Sequence, residues 1–150
     1  MGDEEIVFPI DEQEYARLAS KELGRNGMTA IYAICPKERS PTKIGIAQSL
    51  HTRLRAIQVS TWHELYLYYA VWLPDKEMAL RIETGVHLRL KAEKIIGEWF
   101  RVNPTIVKRL IFDEAARVYG GVKLVEHTSM IERLRFGYLK NNHLTFSKNR

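Results

Sequence analysis

Three short apolar runs interleaved with helical patterns predict an α/β domain on a small three-stranded, mainly antiparallel sheet flanked by helices, with extra N-terminal and C-terminal helices. The runs are Met28 to Cys35, Thr42 to Ala47 and Glu64 to Leu73. Each is too short for a core helix, and the first and third are rich in the Ile, Tyr, Val and Leu that suit buried strands. With 150 residues, 45% hydrophobic and 27% charged, the chain has room for one such core. This composition is that of a globular protein and excludes a disordered or collagenous chain.

The elements follow in order. Asp11 to Leu23 carries Tyr15, Leu18, Ala19 and Leu23 at helical spacing, with Asp11 as N-cap and Gly24 and Gly27 as the stop. The first strand ends at Pro36, and the polar turn Lys37 to Pro41 is too brief for a parallel crossover, so the second strand returns antiparallel. Ser49 to Gln58 sets Leu50, Leu54 and Ile57 inward and His51, Arg55 and Gln58 outward. After the third strand, Asp75 caps a long helix to about Lys94 with the stripe Met78, Ile82, Val86 and Leu90, and Gly97 ends it. Glu98 to Val102 is a short extended piece. Asn103-Pro104 opens a helix that runs to Tyr119, Gly120-Gly121 breaks it, and Ser129 with Glu132 has capping-box spacing for a last helix through about Lys140. This gives an acidic helical extension at 1–27, a core at 28–102, and a basic helical extension of the same domain at 103–150.

Charge is unevenly placed. The net +5 combines seven acids and two bases in residues 1–24 with a balance of +10 in the remainder. Such a basic body suits a polyanion such as nucleic acid. No apolar run approaches the ~18 residues of a membrane span, and Asp3, Glu4 and Glu5 are unlike a signal peptide, so a cytoplasmic protein with no membrane partner is expected. With Cys35 as the single cysteine there is no intrachain disulfide or Cys-based zinc site, and metal chemistry falls to carboxylates or histidine. Phosphate-loop, dinucleotide, zinc-protease and nucleophile-elbow motifs are absent.

One constellation carries chemistry: Ala30-Ile31-Tyr32, Lys43-Ile44-Gly45-Ile46-Ala47, Arg53, Glu83 with His87, and Gly97-Glu98-Trp99-Phe100. Over about residues 29–102 this resembles the GIY-YIG nuclease superfamily, in particular a phage-type branch with a Lys-Ile-Gly second motif and Glu-x-x-x-His before a Gly-Glu-Trp-Phe segment. The intervals Tyr32 to Lys43 and Lys43 to Arg53 match those of that family. The resemblance implies a metal-dependent endonuclease in which Tyr32 helps activate water, Arg53 steadies the phosphate and Glu83 holds a divalent cation, Mg²⁺ or Mn²⁺. Ala30, Ile46, Ile57 and Ile95 depart from the family pattern and thin the polar shell.

Physical chemistry fits those roles. A tyrosine of pKa ~10 is about a thousandfold too protonated to act as a base at neutral pH, so a cation must lower it, and Lys43 on the paired strand supplies one if register brings both to one face. Arg53 offers a bidentate fork, and the Glu83 carboxylate suits a hard cation. His87, one turn on from Glu83, could orient it or protonate a leaving oxygen. Arg55, Lys108, Arg109, Arg133 and Arg135 are expected to meet nucleic acid, with DNA as the partner. The alternatives are a catalytically weak or inactive module that binds nucleic acid, and a protein-interaction module.

Overall fold

A computed structural model of the chain describes residues 8–9, 14–120 and 124–129. The three expected strands form its centre: β2 (Thr29–Cys35), β3 (Thr42–Ala47) and β4 (Tyr66–Leu73), with β2 in the middle and antiparallel to both neighbours. The sheet is wider than expected, with seven strands among the described residues. β1 (Phe8–Pro9) and β7 (Val125–Glu126) pair with β4; β6 (Trp99–Phe100) pairs with β3, and β5 (Lys94–Ile96) with β6. Strands of two or three residues carry no readable alternation, so only the α/β class and the antiparallel centre were legible.

The helices are α1 (Glu14–Arg25), α2 (Leu50–Val59), α3 (Lys76–Arg89) and α4 (Pro104–Tyr119), with a 3₁₀ turn at Lys91–Glu93. Asp75 accepts a hydrogen bond from the Met78 N–H at 2.9 Å, and Asn103 accepts one from Thr105 at 2.9 Å, so both expected N-caps form. Gly97 does not end α3. The helix stops at Leu90, whose side chain turns into the core, and Gly97 instead occupies the β5–β6 turn. On α1, Leu18 is exposed and buried Ser20 faces inward beside Ala19 and Leu23. The expected cap Asp11 and the last helix beyond Ser129 lie outside the described residues. No helix among the described residues is long and apolar enough to cross a membrane.

Strand alternation splits the core into two layers. Ile31, Ala33 and Ile44 face α3 and α4, where Ile82, Val86, Val107 and Ile111 complete one cluster. Ala30, Tyr32 and Ile34 face the other way, toward Leu23 of α1 and Leu50 and Leu54 of α2. Between α3 and α4, buried Glu114 meets Arg89 at 2.6 Å and Arg117 at 2.8 Å. The Arg117 hydrogen bond, reinforced by both guanidinium charges, holds the Glu114 carboxyl below its ordinary 4.5.

The contribution of Glu114 is therefore fully present above pH 4.5 and drains as pH falls through the lowered folded-state value. Glu114→Gln should cost about 1–3 kcal/mol at pH 7, less than for a fully buried pair because both arginines can return to water. Thermal melts should show a Tm drop of about 2–8 °C at pH 7 that shrinks toward pH 3. An equal drop at both pH values would contradict the charge-assisted role.

Candidate active site

The β2–β3 register sets Tyr32 directly opposite Gly45. A Cβ on Gly45 would collide with the Tyr32 hydroxyl and crowd the Glu98 carboxylate, so glycine at this position is what lets the phenol lie across the strand. Tyr32 is fully buried, and its hydroxyl makes no hydrogen bond of good geometry among the described residues, although the Arg53 guanidinium is close enough to act on it. The outer edge of β3 is covered only in part, because β6 pairs with Thr42 and Lys43 and the ladder ends where the Ile44 N–H donates to the Glu98 carbonyl at 3.0 Å. Around Gly45 the edge has no strand partner among the described residues, and groups from both layers meet there.

From α3 come Glu83 and His87, and from the β5–β6 turn comes Glu98. One ligand atom of each lies within 4.8 Å of the others. His87 Nε2 is 3.0 Å from the Ile44 carbonyl oxygen and 3.7 Å from Glu83 Oε1. A carbonyl only accepts, so Nε2 donates its proton there; that bond fixes the ring, and His87 is a positioning group unless it is broken. The hard donors are the carboxylates of Glu83 and Glu98. Burial, and then the neighbouring Glu98, push the Glu83 carboxyl up to about 7, with Lys43 opposing. Two such carboxylates need a shared proton or a cation between them, and their oxygen donors fit Mg²⁺ or Mn²⁺.

Lys43 lies on the same sheet face as Tyr32, as the hairpin register requires. Its ammonium does not serve the phenol, however. It donates to Glu98 Oε1 at 3.3 Å and sits 5.7 Å from the centroid of the Trp99 ring. The cation that acts on the Tyr32 hydroxyl is the exposed Arg53 on α2, whose influence is outweighed by burial and by Glu98, so the phenol is pushed up from its ordinary value of 10.0. This corrects the expectation of a lysine-lowered tyrosine. The physical reason is that a flexible ammonium pairs with the nearer carboxylate before it solvates a neutral phenol. Glu98 was visible in the sequence only as part of a tetrapeptide. Its place is one residue before β6, across from Ile44 and with its carboxylate beside Gly45.

The expected nucleic-acid residues do not gather at this edge. Arg55 is on the exposed face of α2, two residues beyond Arg53. Lys108 and Arg109 are on α4, in the opposite layer, where the Lys108 ammonium lies 5.2 Å from the centroid of the Tyr69 ring. Arg133 and Arg135 lie outside the described residues.

No curated protein and no solved structure matched the chain. One family model did match, that of the T5orf172 domain, over residues 29–113. That span runs from β2 into α4 and holds Tyr32, Lys43, Arg53, Glu83, His87 and Glu98 together. The resemblance to the GIY-YIG superfamily is corrected by this match, since the short tripeptides that suggested it are permissive and the matching model is that of a different family. With more than half of its length matched, the chain belongs to the T5orf172 domain family.

Proposed function

We propose that this protein is a divalent-cation-dependent phosphodiesterase acting on nucleic acid, with DNA as its substrate. The observation that carries this reading is the convergence at one strand edge of two mutually crowding carboxylates and a buried hydroxyl without a partner, with an arginine acting on that hydroxyl from the next helix. Glu83 and Glu98 would hold the cation, which when bound would supply Lewis-acid polarisation of a phosphoryl oxygen. The other functions belong to the chain. Arg53 reaches out from α2 with a planar fork that fits two nonbridging phosphate oxygens. The Tyr32 hydroxyl stays uncharged at neutral pH, so it orients the attacking water by hydrogen bonding rather than acting as a phenolate. Lys43 holds Glu98, and His87, anchored on the Ile44 carbonyl, holds the space beside Glu83. Both are positioning residues.

Supercoiled plasmid incubated with the full chain should be nicked or linearised with Mg²⁺ or Mn²⁺ and remain intact with EDTA. Glu83→Gln should lower that rate by about 10²-fold or more, because an amide lacks the charge a hard cation needs. Cutting by Glu83→Gln at the wild-type rate would overturn the metal assignment, and plasmid binding without cleavage by the wild type would leave a binding module.

Tyr32→Phe separates chemistry from packing. The phenol oxygen is buried with only the Arg53 guanidinium acting on it as a donor, so its removal should change Tm little. If the hydroxyl handles the attacking water, the cleavage rate should fall by about 10²- to 10⁴-fold while DNA affinity holds. A folded Tyr32→Phe protein that cuts normally would falsify this role.

A further inference from the structure

The acidic N-terminal segment contains, in α1, a row of cations that its overall charge conceals. Arg17, Lys21 and Arg25 recur every four residues and line one side of a cavity of about 420 Å³. Ser49, His51 and Thr52, at the start of α2, line the other side, and among the described residues no carboxylate lines it. Arg53 follows Thr52 directly along α2, so the cavity and the arginine of the candidate active site share one helix. The walls are held together by specific contacts. The His51 N–H donates to buried Ser20 Oγ at 2.8 Å, and a Cβ on Gly24 would run into the Gln48 carbonyl, so α1 closes on the β3–α2 connection only because residue 24 is glycine.

We infer that this α1–α2 cavity is a track for backbone phosphates of one nucleic-acid strand, flanking the phosphodiester bound at Arg53 and the carboxylates. The inference rests on the phosphodiesterase reading and names the surface that holds the rest of the substrate. At a rise of 1.5 Å per residue the three cations span about 12 Å along α1. A strand places one phosphate per ~3.4 Å of axis, so the row covers about three or four phosphates of one strand. A single small anion could engage only part of it, which favours a polymer over free phosphate. Arg25 is only loosely held by Glu22, at 3.7 Å with both side chains about half exposed or more, so it can turn to a phosphate.

The test measures binding of a fluorescent DNA duplex in EDTA by anisotropy over a salt series, with the full chain. Charge reversal in Lys21→Glu with Arg25→Glu should weaken binding by about tenfold or more and reduce the salt slope by about 2, at ~0.9 for each phosphate no longer neutralised. The neutral pair Lys21→Gln with Arg25→Gln, whose helix content is checked by circular dichroism, should show a similar reduction in slope. Hydrolysis of bis(p-nitrophenyl) phosphate, which carries one phosphate and no flanking ones, should be unchanged in both variants. Inorganic phosphate should protect wild type and variants equally against heat. An unchanged salt slope in the folded variants, or selective protection of the wild type by inorganic phosphate, would overturn the track. Failure of the wild type to hydrolyse either substrate, with the slope change intact, would overturn the phosphodiesterase reading and leave the track standing.

Discussion

Tyr32 faces Gly45 across the β2–β3 ladder, and the missing side chain at residue 45 leaves a space that the phenol and the Glu98 carboxylate share. The other site groups are arranged about that space. β6 ends its pairing just before it, and so delivers Glu98 at the edge rather than within the sheet. α3 approaches the same edge from the layer containing Ile82 and Val86, and brings Glu83 with His87 one turn on. α2 is seated by Leu50 and Leu54 on the layer that contains Tyr32, so the guanidinium of Arg53 acts on the phenol. A larger residue at position 45 would displace the hydroxyl and the carboxylate together.

Electrostatics gives the arrangement its chemical character. Lys43 satisfies Glu98 only in part, and the crowding that remains falls on Glu83, whose charged form is disfavoured by burial and by its neighbour. A buried acid whose pKa is pushed up to about 7 is costly for stability, and groups of this kind cluster at functional sites. The unpartnered phenol beside it is a second uncompensated group at the same edge. Elsewhere Glu114 is closed by two arginines and Trp72 donates its indole N–H to His127 Nδ1 at 3.1 Å, while the Thr29 and Tyr69 hydroxyls are, like that of Tyr32, buried without a hydrogen-bond partner among the described residues. What sets the Gly45 edge apart is that two carboxylates and a buried phenol crowd together there.

Long, strongly patterned elements were legible from sequence because their signals are local. The apolar runs of β2 and β4, the stripe of α3 and the Asn103-Pro104 start of α4 each fix an element without reference to the rest of the chain. Tyr32, Arg53, Glu83 and His87 could be proposed because each has a motif spacing, and the structure places them around one edge. What sequence could not supply was partner choice. Lys43 shares a face with Tyr32 yet pairs with Glu98, and that choice depends on the β5–β6 hairpin, whose strands are too short to show a pattern. The same limit hid the cations of α1, which net charge averaged against acidic neighbours, and it let permissive tripeptides point to the wrong family.

The account stands on a cation held between Glu83 and Glu98, and the most direct measurement is a crystal of the protein soaked in Mn²⁺ and measured for anomalous scattering. The account predicts one strong peak between the two carboxylates, with Mn–O distances of about 2.1–2.2 Å and a ligand oxygen within reach of the Tyr32 hydroxyl. No peak at this edge at millimolar Mn²⁺, with Glu83 and Glu98 still in mutual contact, would contradict it.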